Sequence, residues 1–113
     1  MDRNTYFCGE IININFHMSN RSSKIIRFLP QMVRRTAFKK KYIYLESQEL
    51  IASNYADPCL ENSSQSDIVC IPIPFDCLPT IDCPLIEIKY SINLFVDISD
   101  STEHFDEIPI YIK

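Results

Sequence analysis

The chain has 113 residues, is 46% hydrophobic and carries a net charge of −4, which suits one domain with a real core and not two. The acidic balance argues against sequence-independent nucleic-acid binding, which needs a basic surface. No apolar run approaches the roughly 18–20 residues of an integral membrane segment, and the opening Met1-Asp2-Arg3-Asn4-Thr5-Tyr6 has neither the apolar stretch nor the cleavage site of a secretory signal.

With one glycine and seven prolines, turns fall to Asn, Ser, Asp and Pro. No segment sustains the 3.6-residue apolar period of a capped helix. Gly9-Glu10 opens the first predicted strand, where Ile12, Ile14, Phe16 and Met18 alternate with Ile11, Asn13, Asn15 and His17; a polar turn over 19–23 ends it. The second predicted strand starts at Lys24-Ile25-Ile26 and continues through Phe28, Leu29, Met32, Val33 and Phe38. Pro30 inside it demands an edge position or a bulge, because proline has no ladder N–H. Lys39, Lys40 and Lys41 read as a charged hairpin tip, and 42–53 as the return strand. The polar stretch 54–65 is the expected mobile loop. A short strand at 68–74 is ended by Pro72 and Pro74, and 75–84 connects it to the next.

The strongest pattern is residues 84–98, where Ile86, Ile88, Tyr90, Ile92, Leu94, Val96 and Ile98 share one parity. Glu87, Lys89, Ser91, Asn93 and Asp97 share the other, with Phe95 the lone large apolar intruder. Alternate strand side chains face opposite ways, so this is a long strand with one dry face and one wet face. A turn is expected at 100–106 and a last strand at 108–112. Six or seven short strands separated by polar turns predict an all-β fold, an antiparallel β-sandwich of one domain, 1–113.

Cys8, Cys59, Cys70, Cys77 and Cys83 form an odd set with no CxxC pair, which reads as reduced, buried or partly buried thiols of a cytosolic protein and not as a zinc site. His17 lies in a strand and His104 in the acidic turn, with no nucleophile tied to either. Asp97, Asp100, Glu103 and Asp106 lack the spacing and the glycine of a calcium loop and read as a solvated acidic turn. No cofactor and no catalytic set is expected. The basic cluster Arg34, Arg35, Lys39, Lys40 and Lys41 has two readings: a solvated tip whose lysines discourage edge pairing, or a contact with anionic lipid or phosphoinositide headgroups.

Four motifs, in order, resemble the C-terminal domain of the arrestins, and within them the α-arrestins (arrestin domain-containing proteins). Gly9-Glu10-Ile11 with Ser19-Asn20-Arg21-Ser22-Ser23 is similar to the family's opening pattern, and Ile71-Pro72 to its short strand. Thr80-Ile81-Asp82-Cys83 ahead of Ile86-Glu87-Ile88-Lys89-Tyr90-Ser91 is similar to a third pattern, and Ile108-Pro109-Ile110 to the terminal one. The resemblance implies an immunoglobulin-like sandwich that works as a non-enzymatic adaptor in membrane-protein trafficking, endocytosis and ubiquitin-ligase recruitment. It implies partners among cytoplasmic parts of membrane proteins, and a location in the cytoplasm, peripheral at the plasma membrane or endosomes. Gly9, Asn20, Ser22, Ser23, Pro72, Cys83, Tyr90 and Pro109 then carry structural roles: Gly9 in a turn, Cys83 as a small buried side chain, Tyr90 in the core with its hydroxyl satisfied.

The chain departs from the family pattern in three ways. An N-terminal arrestin domain, the partner implied for this one, is absent from these residues, and only eight residues precede Gly9. The expectation is therefore a piece of a two-domain arrestin that lacks its first strand and leaves a sheet edge unpaired. The PPxY motif that recruits WW-domain ligases is also absent. Finally, the turn in which one branch of the family holds a thioredoxin-binding cysteine is Arg21-Ser22-Ser23 here, so no thioredoxin disulfide is expected.

Overall fold

The computed structural model describes residues 3–99 and 101–113; the readings that involve Met1, Asp2 and Asp100 lie outside them. Eight strands are present among the described residues: β1 (Thr5–Tyr6), β2 (Ile11–Asn20), β3 (Ile26–Lys40), β4 (Ile43–Ser53), β5 (Ser63–Pro72), β6 (Ile81–Asp82), β7 (Ile86–Ile98) and β8 (Ser101–Ile112). The larger sheet has the order β1-β8-β7-β3-β4, with β6 also on β7, and β2 pairs with β5 in a second, two-stranded sheet. All pairings are antiparallel except β1 with β8, where Thr5 and Tyr6 lie parallel to Tyr111 and Ile112. The two residues of β1 are the only strand ahead of Gly9 among the described residues.

The two layers meet where the alternation predicted. Ile12, Ile14, Val69 and Ile71 of the small sheet pack on Met32, Ile88, Tyr90, Ile92, Leu94 and Ile110 of the large one. Ile12, Met32, Ile71 and Ile92 are wholly enclosed, each contributing about 1.5–3 kcal/mol of burial before entropy. Just past β4, the Asn54 amide donates to the Cys70 carbonyl of β5 at 3.0 Å, so β5 lies on the β4 side of the sandwich. β2 lies on the β8 side, with the rings of Phe16, Phe28 and Phe105 in sequence across the gap, 4.7 and 6.2 Å between centroids.

Several expectations need correction. A turn was expected at 100–106, but from Ser101 onward the described residues of that stretch are strand: Ser101 opens β8 and pairs with Ile98, and φ at Ser99 is 55°. Its residues are exposed on both faces as far as Glu107, so pairing, not an apolar period, makes it a strand. The expected loop 54–65 is shorter, because Ser63, Ser64 and Gln65 already pair with β2. The wet face of β7 is not uniformly wet either. Asn93 is buried between Gln31 and Glu107 on the neighbouring strands, whereas Ile86, on the dry parity, is exposed. Pro30 sits in β3 between two neighbours, but the β4 ladder stops at Gln31 and shifts register at Met32/Val33. Only the Pro30 carbonyl is called on, by the Asn54 N–H at 3.4 Å.

Candidate functional site

The β3–β4 hairpin holds the basic cluster, and folding divides it. Arg34 pairs with Glu49 at 2.7 Å, Arg35 with Glu46 at 3.6 Å and Lys39 with Glu87 at 2.8 Å. The first two acids face their partners because β4 runs back along β3, placing Glu49 opposite Arg34 and Glu46 two positions from Gln48, the residue opposite Arg35. The Lys39–Glu87 bond raises the lysine and lowers the carboxyl from their ordinary values. Arg34 is turned into the protein, its side chain 18% exposed and bonded to Glu49, and the nearby Tyr90 and Glu49 raise the guanidinium from its ordinary value. Lys40 and Lys41 remain at the tip, with no ion pair among the described residues; Lys41 lies 5.4 Å from the centre of the Tyr42 ring. Around them Phe38, Tyr42, Ile43, Tyr44, Leu45 and Ile86 are exposed. What results is an apolar finger tipped by Lys40 and Lys41, with Arg35 and Lys39 half-exposed but held in ion pairs and Arg34 turned inward.

Gly9 adopts φ +85°, the left-handed region, in the turn before β2. Asn20 is buried at the end of β2, where its amide donates to the carbonyls of Lys24, Leu60 and Cys59 at 2.7, 3.0 and 3.2 Å. Its oxygen accepts from the Ser22 N–H at 3.1 Å and the Ser22 hydroxyl at 2.7 Å. One side chain thus ties the turn after β2 to the loop before β5. Ser23 is exposed, as are Pro72, which ends β5, and Pro109 in β8. Cys83, expected to be buried, is exposed beside β6, because the connection that carries it runs along the sheet edge.

Tyr90 is buried and its hydroxyl donates to the Leu78 carbonyl at 2.6 Å, while the Cys77 thiol donates to it at 3.1 Å. Burial, then the Cys77 contact, push its hydroxyl up to about 12. Burial likewise pushes the Cys77 thiol up, which keeps it protonated and slow as a nucleophile. All five cysteines are free: Cys59 is buried, Cys8 and Cys77 half-buried, Cys70 and Cys83 exposed.

Sequence reasoning missed a second surface. Between β2 and β8 lies a cleft of about 230 Å³ lined by Phe16, Met18, Phe28, Leu94, Phe105 and Ile108. Phe105 fell in a stretch read as turn, so its inward role had no periodic signal. β2 pairs only with β5 among the described residues, and its other edge borders this cleft.

A family model described as "Arrestin (or S-antigen), C-terminal domain" matches residues 1–113, the entire chain. Among curated proteins, "Arrestin domain-containing protein B" of Dictyostelium discoideum is 25% identical over 112 residues, covering 97% of this chain and 18% of its own length. Among solved structures, the sporulation control protein Spo0M of Bacillus subtilis superposes with a TM-score of 0.73 at 16% identity, over 99% of this chain and 46% of that one. That likeness speaks to the fold alone. The chain spans less than half the length of either relative.

Proposed function

Because the chain belongs to the arrestin family, as its C-terminal domain, we propose that it is a non-catalytic adaptor module that binds cytoplasmic parts of membrane proteins in trafficking and endocytosis. The observation that carries this reading is the match along all 113 residues. The β-sandwich supports it by offering open strand edges and apolar faces, which are contact surfaces. An N-terminal arrestin domain and the ubiquitin-ligase machinery are the further partners this reading implies. The test is affinity capture on the purified chain using immobilised cytoplasmic regions from several classes of membrane protein. Saturable binding of at least one class is expected; no binding across all classes would refute it.

The hairpin favours a second reading, contact with an anionic membrane surface. Lys40 and Lys41 stand beside the exposed side chains of Tyr42, Ile43 and Leu45, a pairing of charge with apolar surface that suits the headgroup boundary. Co-sedimentation with vesicles containing phosphatidylserine or a phosphoinositide measures it. Changing Lys40 and Lys41 to Glu should abolish sedimentation; unchanged binding would remove this reading.

A further inference from the structure

The two layers of the sandwich are unequal, and the shortfall has a location. The smaller sheet has two strands, and the ten-residue β2 has a partner on one side only among the described residues. A strand with one neighbour leaves half of its backbone N–H and C=O groups directed outward, a template for another strand. β2 contains no charged residue and no proline from Ile11 to Asn20, so it lacks the usual devices that block such pairing. Its free edge borders the apolar cleft, in which Phe105 remains 57% exposed. A strand added there would place every second side chain over Phe105, Leu94 and Ile108.

Charge identifies the occupant. Beside Phe105 on β8 are Glu103 and Asp106, opposite Val96 and Leu94 and so on the cleft's face of the sheet, both exposed and without an ion-pair partner among the described residues. The open-edged strands a second copy brings are β4 with Glu46 and Glu49, β5 with Asp67, β6 with Asp82, and the uncharged β1 and β2, and none complements these acids. An extended segment alternating apolar residues with Lys or Arg does. Cytoplasmic segments flanking membrane spans carry an excess of Lys and Arg, which is the chemistry required.

We propose that the free edge of β2 and the adjoining cleft form an acceptor site for an extended, basic cytoplasmic segment of a membrane protein, bound as a third strand of the small sheet. This deepens the adaptor reading and rests on it. Affinity comes from main-chain hydrogen bonds to β2, and selectivity from the apolar side chains in the cleft and the cations against β8. About eight residues, roughly 27 Å of strand, would span most of the edge.

The probe is a capped octapeptide of alternating valine and lysine, compared with its valine–glutamate counterpart and with a version carrying a central proline. Fluorescence anisotropy and amide hydrogen exchange on the whole chain are the readouts. The basic peptide should bind about tenfold more tightly than either control, and exchange should slow within 11–20. Phe105→Ala, and separately Glu103→Lys with Asp106→Lys, should each weaken it by about tenfold; all three sites are exposed, so the fold survives. Equal binding of the acidic peptide, protection on β4 instead of β2, or a protein already dimeric through β2 would each overturn the proposal. Cargo capture that persists unchanged in both variants would sink this site and leave the adaptor reading standing. Peptide binding at β2 with no cargo captured would do the reverse.

Discussion

Asn20 shows how much one side chain can organise. Its amide serves three carbonyls and its oxygen two donors of Ser22, all at a buried position. Asn20→Ala strands those groups, and the expected loss is roughly 3 kcal/mol, read as a lower urea midpoint. Asn20→Asp should be worse, since a carboxylate would face three carbonyl oxygens. Tyr90 makes a different prediction. Its hydroxyl rises from an ordinary 10.0 to about 12 in the fold, so the stability linked to it is complete below pH 10 and lost as pH climbs toward 12. Tyr90→Phe should flatten that alkaline decline in the denaturation midpoint. The motif Ser19-Asn20-Arg21-Ser22-Ser23 made Asn20 and Ser22 legible in the sequence. Nothing in that motif distinguished Ser22, which bonds Asn20, from Ser23, because both are exposed turn residues and the bond depends on the geometry of the turn.

At the level of elements, the β3–β4 hairpin is fastened to β7 by Lys39–Glu87. The bond holds the carboxyl below its ordinary 4.5, so its contribution is present above that value and disappears as pH falls through the lowered one. Glu87→Gln should speed amide exchange across 38–45 at neutral pH and remove the acid-side dependence of that exchange; an unaltered profile would show that the hairpin needs no fastening. β7 and β2 were legible in advance because burial on one face imposes a two-residue period. The first half of β8 was not, because a strand solvated on both faces has no period to read. The basic cluster was legible as composition. That three of its five cations would be neutralised depended on strand register, which the local sequence does not encode.

For the whole molecule, the radius of gyration of 16.4 Å and extents of 54 × 29 × 19 Å exceed the roughly 13 Å radius of a spherical domain of similar size. The long sheet runs past the short one, leaving β4 exposed on both faces from Ile43 to Leu50. Its free outer edge and the apolar Ile43, Leu45 and Leu50 predict concentration-dependent self-association by light scattering. Leu45→Lys should restore a monomer; a parent protein that stays monomeric at high concentration would contradict the prediction. The sequence by itself determined the all-β class, the strands with a dry face, the family motifs and the turns after β2 and β3, because these follow from local periodicity and local backbone preference. Only the tertiary structure decided which edges are left open, which charges are neutralised and where Phe105 and β2 meet. Those depend on how two sheets of unequal width are stacked, which brings together residues far apart in the chain.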